Sequence, residues 1–292
     1  MIRKWLLGVL AIGLVTASCS NDDDNAPSTS NINLNFNGLE NLGANYVYEG
    51  WIIVDGNPVT TGTFTVDDTG AASSSSFTVD ASQLANATAF VLSVEPAVDP
   101  DPMPAPTKIL QGTFSGNSAT VNSNIVGDFS NASGAFFLRT PTDETGTNNG
   151  NDQYGVWFGT PGMPPTPNFN LPTLPAGWAY EGWVVGDAGP ISTGVFTAFD
   201  TADSSNGFSG TQNNAGPPIP GEDFFNNAPA GEVFPLDVRN RTVVISVEPV
   251  PDNDPAPFVM KPLVGTAGMA TAPATHNFAL NLSSLPSGTV TR

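Results

Sequence analysis

Basic residues are scarce in this chain of 292 residues, which has 8 Lys and Arg against 27 Asp and Glu and a formal net charge of −19. A chain this acidic repels phosphate backbones, so we expect no nucleic-acid partner. The chain has one cysteine and one histidine, His276, too few for a Cys/His zinc cluster or a Cys–His pair. No serine lies in a GxSxG elbow, and we expect His276 to be an ordinary surface or strand residue. We therefore predict a protein that is not an enzyme and that has no catalytic residues, no metal and no cofactor.

Uninterrupted stretches that could form long helices are also lacking, because 30 Gly and 27 Pro are spread along the chain. The 18 Phe, 5 Trp and 4 Tyr argue against disorder, since they can fill a hydrophobic core. A folded, turn-rich β protein remains, and the length suits two domains.

The first 18 residues have the features of a signal peptide. Arg3 and Lys4 are basic, residues 5–15 are apolar but too short to span a bilayer, and small residues lead to Cys19. This resembles a bacterial lipoprotein signal, in which the cysteine is acylated and becomes the new N-terminus. An ordinary secretory signal is the alternative. The resemblance implies lipidation of Cys19, for example by palmitate, and a lipid-anchored position in the outer membrane or at the cell surface.

Residues 19–30 form an acidic, polar segment that contains Asp22, Asp23 and Asp24. It resembles the export tag that sends some lipoproteins to the cell surface, and it also suits a solvated, flexible tether.

Two parts of the chain repeat each other. Tyr-Glu-Gly-Trp occurs at 48–51 and again at 180–183, a shift of 132, and Ser-Val-Glu-Pro occurs at 93–96 and at 246–249, a shift of 153. The second copy therefore carries a 21-residue insertion, for which residues 213–230 are the natural place. The pattern predicts a duplicated domain, with repeat one at 31–165 and repeat two at 166–292.

The local patterns of both repeats are those of strands. Residues 46–53 are largely apolar on both faces, as in a central strand, and shorter strands are predicted at 89–94, 109–114, 135–140, 153–158 and 242–247. We predict an all-β fold of two tandem Ig-like β-sandwich domains. Repeat two ends without a counterpart of 153–158, so its last strand is expected to be missing, supplied from elsewhere or lost by truncation.

The few charges are placed regularly. The chain has 8 Glu, of which four occupy two repeat positions, and the two lysines that follow the signal peptide occupy a third. Paired carboxylates can serve a glycosidase, but we favour structural ion pairs in which lysine neutralises a buried glutamate within each sandwich. The residues are Glu49, Glu95, Lys108, Glu181, Glu248 and Lys261.

Calcium is an alternative for the aspartates at 99, 101, 252 and 254 and for the loop at 143–152. None of these stretches has the spacing of a DxDxDG loop, and Asp is common in solvated turns.

Together, these motifs resemble a known family. A Trp-containing strand, a PVxxG turn at 58–62, Val-Glu-Pro at 94–96 and a proline-rich stretch at 104–107 are similar to the extracytoplasmic C-terminal domain of anti-sigma-K factors. The likeness covers about 46–112 and 178–265, with Asp-Pro-Asp-Pro at 99–102 where the family has a Gly-Gly-Ser turn. We expect neither the zinc-associated cytoplasmic domain nor the transmembrane helix of such regulators, so the resemblance implies the fold and an envelope location more than the activity.

Three functions are open. The first is a non-catalytic envelope lipoprotein that binds an envelope partner or serves structurally. The second is an accessory component of envelope stress signalling. The third is a carbohydrate-active protein, which binds glycans or hydrolyses them weakly. Exposed Trp157 or Trp178 would favour glycan binding, and buried ones would weaken it.

Overall fold

The computed structural model describes residues 28–144, 150–209, 216–252 and 254–292. The signal peptide, Cys19 and most of the acidic tether lie outside these residues. The all-β prediction is confirmed, because antiparallel strands dominate the described chain. The Ig-like arrangement stays a prediction. Within the described ranges, no helix combines the length and apolarity that a membrane crossing requires.

The first half of the chain contains eight of the strands. They are β1 (Thr29–Asn37), β2 (Tyr46–Val54), β3 (Asn57–Phe64), β4 (Ser76–Asp80), β5 (Ala89–Pro96), β6 (Lys108–Thr113), β7 (Ser118–Asn122) and β8 (Ala135–Leu138). One short helix, α1 (Ala81–Asn86), follows β4 and is capped by the Asp80 carboxylate.

The second half contains the other strands of the described residues. They are β9 (Gly155–Phe158), β10 (Trp178–Val185), β11 (Pro190–Phe196), β12 (Gly221–Asp223), β13 (Thr242–Pro249), β14 (Leu263–Thr266), β15 (His276–Asn277), β16 (Ala279–Leu280) and β17 (Ser287–Thr291). The strands expected at 89–94, 109–114, 135–140, 153–158 and 242–247 are all present, with small shifts at their ends.

The first sheet has eight strands in the order β3-β2-β5-β6-β7-β17-β1-β4. Its two end strands, β3 and β4, are also in contact, so the sheet curls towards closure. The remaining strands form a sheet β11-β10-β13-β14-β16 and a sheet β12-β9-β8-β15. Strand β11 contacts β12, and β14 contacts β15, so the two smaller sheets together follow the same order as the first sheet.

Sheet membership does not follow the boundary predicted at residue 165. The last strand of the chain, β17, lies between β1 and β7 in the first sheet, and β8 from the first half lies between β9 and β15 in the second half. Strand β9, which we placed at the end of repeat one, pairs with β8 and with β12 of the second half. In the first sheet, β1 has the same position, since it pairs with β17 and β4. Among the described residues, β8 and β17 hold equivalent positions, and each completes the sheet of the other half. Of the three alternatives for the last strand of repeat two, this arrangement corresponds to a strand supplied from elsewhere in the chain.

Both halves contain the same bulge in the hairpin that carries the Tyr-Glu-Gly-Trp motif. The register shifts after Gly50 in β2 and after Gly182 in β10. The glycines opposite, Gly62 and Gly194, have φ angles of 124° and 126°, which side chains other than glycine rarely adopt.

One hydrophobic core runs through both halves of the described chain. Its fully buried aromatic residues include Tyr48 and Phe90 of the first half and Tyr180 and Phe158 of the second. The hydroxyls of the two tyrosines are hydrogen-bonded in the same way. Each donates to the backbone carbonyl eight residues earlier, at Glu40 and at Pro172. With exchanged strands and a shared core, the halves pack as one unit.

Candidate functional site

The Ser-Val-Glu-Pro motif of the first half forms a buried hydrogen-bonded chain. The indole N–H of Trp51 donates to Ser93 Oγ at 2.8 Å, and the Ser93 hydroxyl donates to Oε1 of Glu95. The same Oε1 accepts the backbone N–H of Ala105 at 2.8 Å, while Oε2 of Glu95 is buried without a partner. Burial raises the pKa of Glu95, against the opposing effect of the Ser93 hydroxyl.

The second half repeats this arrangement. Trp183 Nε1 donates to Ser246 Oγ at 2.7 Å, and the Ser246 hydroxyl lies 3.5 Å from the carbonyl oxygen of Glu181. Hydrogen bonding by Ser246 also lowers the pKa of Glu248, which corresponds to the Ser93–Glu95 contact. The backbone N–H of Phe258 lies 3.0 and 3.1 Å from the two oxygens of Glu248. Burial raises the pKa of Glu248 to about 8.

The other repeated glutamate accepts a hydroxyl in both halves. Thr60 donates to Glu49, and Ser192 donates to Glu181 at the corresponding position. Glu49 is half-buried whereas Glu181 is buried, and burial raises the pKa of Glu181 to about 7.

The prediction that lysine neutralises the repeated glutamates is wrong. Neither Lys108 nor Lys261 forms a direct ion pair with Glu49, Glu95, Glu181 or Glu248 in the part of the chain that the structure describes. Lys108 Nζ donates instead to the carbonyl of Ala105 at 2.9 Å, in the loop beside it. Lys261 acts on Glu40 and Glu248 only by longer-range attraction. Hydroxyl and backbone donors, rather than lysine, satisfy these carboxyl groups, because short donors built into the strands reach positions that a half-buried lysine does not.

Three carboxyl groups of the second half come together. Glu181, Glu248 and Asp252 each offer an oxygen within 4.8 Å of the others. This spacing suits a cation, but calcium takes about six to eight oxygens and both glutamates already accept hydroxyl donors. We assign no metal to this cluster. Asp252 raises the pKa of both glutamates by repulsion, so protonation relieves the crowded charge.

A loop rich in proline follows each Glu-Pro motif. We call residues 97–107 the first proline loop and residues 250–262 the second; residue 253 lies outside the described residues. Asp99 accepts the N–H of Asp101 at 2.8 Å, and Asp101 accepts that of Met103 at 3.0 Å. Asp252 and Asp254 form the same successive turns, at 2.9 Å each. The aspartates considered for calcium therefore shape turns.

The two proline loops meet at a cleft of about 370 Å³. The first half contributes residues 40–46, 94, 96 and 105–107, and the second half contributes residues 249–252, 254, 255 and 258. Most of the lining is apolar and includes Leu42, Pro106, Val250 and Phe258. A cavity of this size, built from both halves of the chain, is of the kind that binds ligands.

Carboxylates supply the charge of the cleft. Glu40, Asp252 and Asp254 line it, and no Lys, Arg or His is among its described lining residues. Burial raises the pKa of Glu40 to about 7, opposed by Lys261 and by the backbone N–H of Val259. Lys261 itself does not line the cleft. An apolar cleft with an acidic lining suits a ligand that is both apolar and cationic.

A second group of buried acids was missed by the comparison of the repeats. Asp223 accepts the N–H and hydroxyl of Thr142 and the indole N–H of Trp157, and Glu222 beside it accepts the hydroxyl of Ser209. Asp203 accepts the N–H of Gly221. Burial raises the pKa of Asp203 and Asp223 to about 7 each. All three acids lie between β11 and β13, where the insertion falls, so no repeated motif marks them.

The aromatic residues considered for glycan binding are buried. Trp157 and Trp178 are each 3% exposed, which weakens the glycan interpretation. His276 lies on the edge strand β15, where its ring packs at 5.4 Å from Phe136 and its Nε2 is 2.9 Å from the carbonyl of Ala270. This is a structural environment, as expected for the lone histidine.

Comparison with known families supports part of the resemblance. The family described as anti-sigma-K factor rskA, C-terminal, matches residues 25–109. The match includes β1 to β5 and the first proline loop, so the similarity of the first repeat is confirmed, and that of the second stays a prediction. No curated protein and no solved structure matches the chain.

Proposed function

We propose that this protein is a non-catalytic binding module of the cell envelope, built of two anti-sigma-K-like domains and held to the membrane by lipid on Cys19. Its binding surface is the cleft between the two proline loops. One observation carries the proposal: a loop inside the family-matched segment and its repeated counterpart converge on a single cavity. Duplication is supported by the shared strand order and by the repeated Trp-Ser-Glu chain.

A binding role is favoured over catalysis by the state of the buried acids. Glu95, Glu248 and Asp223 are committed to hydroxyl, indole or backbone donors inside the fold. A glycosidase needs two carboxyl groups that flank an accessible sugar bond. The cleft has three carboxylates, but no tryptophan lines it in the part of the chain described.

An accessory role in envelope stress signalling is the second candidate, and the family match at 25–109 favours it. Acylated at Cys19, the protein would lie outside the cytoplasm and could not hold a sigma factor directly. Its partner would then be the extracytoplasmic part of a transmembrane regulator. Co-purification of such a regulator with the protein, and its loss when the cleft is blocked, would support this candidate.

The membrane location rests on the sequence around Cys19. Metabolic labelling with an alkynyl palmitate analogue tests it, with Cys19→Ser as the matched variant. Labelling of the native chain and none of the variant supports lipidation. Labelling of neither would favour an ordinary secretory signal.

Cross-linked pull-down from intact cells tests the binding role. We compare the native protein with Val250→Arg, which fills the cleft, and with Val233→Arg, a matched change at a residue that is 78% exposed and does not line the cleft. A protein partner retained by the native chain and by Val233→Arg, and lost with Val250→Arg, supports the proposal. Equal recovery with all three chains contradicts it, and glycan recovered in place of protein favours the carbohydrate alternative.

A further inference from the structure

The cleft between the proline loops combines an apolar wall with acidic groups. Most of its wall consists of apolar residues, among them proline, valine, leucine and phenylalanine, and its charged groups are Glu40, Asp252 and Asp254. Ligands that match such a surface have an apolar stem and a cationic end. Lysine and arginine side chains have this form, since their methylene stems cover apolar surface while the charged end pairs with carboxylate.

The acidic charge at the cleft is incompletely neutralised. Lys261 is the cation that acts on Glu40, and it also acts on Glu248, so one ammonium group serves two carboxyl groups. Asp254 uses one oxygen to accept the backbone N–H of Ala256 in the second proline loop. A carboxylate has about four lone-pair positions, so this turn leaves capacity at Asp254 for a further donor.

The proline loops that form the cleft indicate a ligand larger than a small amine. Val250, which lines the cleft, is 50% exposed, and Val98 and Met103 of the first proline loop are 90% and 53% exposed. Exposed apolar residues on such loops are typical of protein contacts. A peptide with one side chain in the cavity could extend along these loops and cover them.

We infer that the cleft binds a lysine or arginine side chain presented by an apolar, extended segment of a partner protein. This inference rests on the proposed binding role and adds the chemistry of the partner. The net charge of −19 favours the same partner, because an acidic protein draws basic segments towards it at long range.

Peptide binding tests the inference. The probes are fluorescent decapeptides of Leu and Pro that differ only at a central Lys, Arg, norleucine or Glu, with hexylammonium as a small-amine competitor. We expect the Lys and Arg peptides to bind, and the norleucine peptide to bind about tenfold more weakly, since it keeps the stem and loses the charge-assisted bond. The Glu peptide should not bind, and hexylammonium should compete poorly because it is too short to contact the exposed side chains of the proline loops.

A matched pair of variants isolates the carboxylates. Asp252→Asn with Asp254→Asn removes both charges but keeps side-chain oxygens that accept the turn N–H groups, so the loop is expected to fold. Asp99→Asn with Asp101→Asn makes the same change in the first proline loop, where these residues do not line the cleft. The first pair should weaken the Lys peptide about tenfold and the second should leave it unchanged. Circular dichroism melting checks that both variants fold.

Several results would overturn the inference. Equal binding of the Lys and norleucine peptides would show a merely apolar cleft, and tight binding of hexylammonium would show a small-amine pocket. Binding of no peptide would also contradict it. If the pull-down partner is lost with Val250→Arg but retained by Asp252→Asn with Asp254→Asn, the binding role stands and the basic partner is wrong.

Discussion

Gly288 of β17 lies directly opposite Phe36 of β1, although 252 positions separate them in the chain. A Cβ atom at Gly288 would lie 2.6 Å from Cδ1 of that ring and 2.3 Å from the carbonyl oxygen of Asn35. Gly134, beside β8, has the same relationship to Phe169, at 2.4 Å. In each half of the molecule, an aromatic ring thus packs against a glycine of the other half. These contacts occur where β17 joins the first sheet and β8 joins the strands of the second half.

Gly288→Ala should destabilise the protein by about 1–3 kcal/mol, because the added methyl overlaps a backbone oxygen that cannot move freely. Backbone amides should lose the most protection from hydrogen exchange in the first sheet, at β1 and β7, although the substitution lies in the last strand of the chain. Hydrogen exchange measured by mass spectrometry shows which strands lose protection. Gly189→Ala is the control, because a Cβ there meets nothing within 4 Å. Protection lost mainly in β10 and β13 would contradict the exchange of strands.

Removal of residues 287–292 should expose the edges of β1 and β7, since β17 is the partner of both. Unpaired strand edges exchange their amide protons quickly and favour aggregation. We expect faster exchange at 29–37 and 118–122 than at 178–185, measured on the same sample. A truncated chain whose first sheet stays fully protected would show that β17 is dispensable.

Ser246→Ala removes a hydroxyl that accepts from Trp183, lies 3.5 Å from the carbonyl oxygen of Glu181 and lowers the pKa of Glu248 by hydrogen bonding. The loss leaves buried polar groups without their partner, which costs about 1–3 kcal/mol. Urea denaturation followed by tryptophan fluorescence measures this cost. Ser93→Ala should have a similar effect through Trp51, whereas Ser28→Ala, at an exposed position, should have none. Equal stability of Ser246→Ala and the native chain would mean that the repeated Trp-Ser-Glu chain is not structural.

Stability should fall as the pH rises from about 5 to about 8.5. The pKa of Glu248 is raised to about 8 and that of Glu181 to about 7, from an ordinary value of 4.5. Groups raised in this way bind protons more strongly in the folded state, so their stabilisation is complete below about 4.5 and is lost as the pH passes their folded pKa values. Asp203 and Asp223, each raised to about 7, act in the same direction. Melting temperatures of the native chain and of Glu248→Gln, measured across this pH range, test the prediction. The melting temperature of the variant should depend less on pH than that of the native chain.

The same melting curves, measured with calcium and with chelator, show whether the carboxyl cluster binds protons or a metal ion. If protonation relieves the cluster of Glu181, Glu248 and Asp252, the pH profile should be the same in calcium and in chelator. A melting temperature that rises with calcium only above about pH 7, where carboxylates are ionised, would indicate a cation site instead.

The sequence was informative wherever a motif occurs twice. Repetition of Tyr-Glu-Gly-Trp and Ser-Val-Glu-Pro predicted β2, β5, β10 and β13 as core strands, because apolar residues on both strand faces require burial on both sides. It also marked Glu95 and Glu248 as structural residues. We predicted the wrong partners for these glutamates. A serine two positions earlier in the same strand hydrogen-bonds to the carboxylate, whereas Lys108 in β6 and Lys261 in the second proline loop form no ion pair with it among the described residues.

Features made by distant segments could not be predicted in this way. The pairing of Gly288 with Phe36 depends on which edge is left open in each half, and no local pattern encodes that. Asp223 lies in unrepeated sequence and meets Thr142 only through β9 and β12. The cleft also needs both proline loops at once, so the sequence showed their residues as turns and gave no sign that they face a common cavity.

The most direct test of the account is to place a photoreactive amino acid at Val250, at the cleft, and separately at Leu282, which is 44% exposed and does not line it. Both proteins are irradiated in intact cells, and the cross-linked peptides are identified by mass spectrometry. The account predicts cross-links from position 250, and not from position 282, to a Lys- or Arg-containing segment of one protein partner. Cross-links to the same partner from both positions, or none from position 250, would contradict the claim that the cleft is the binding surface.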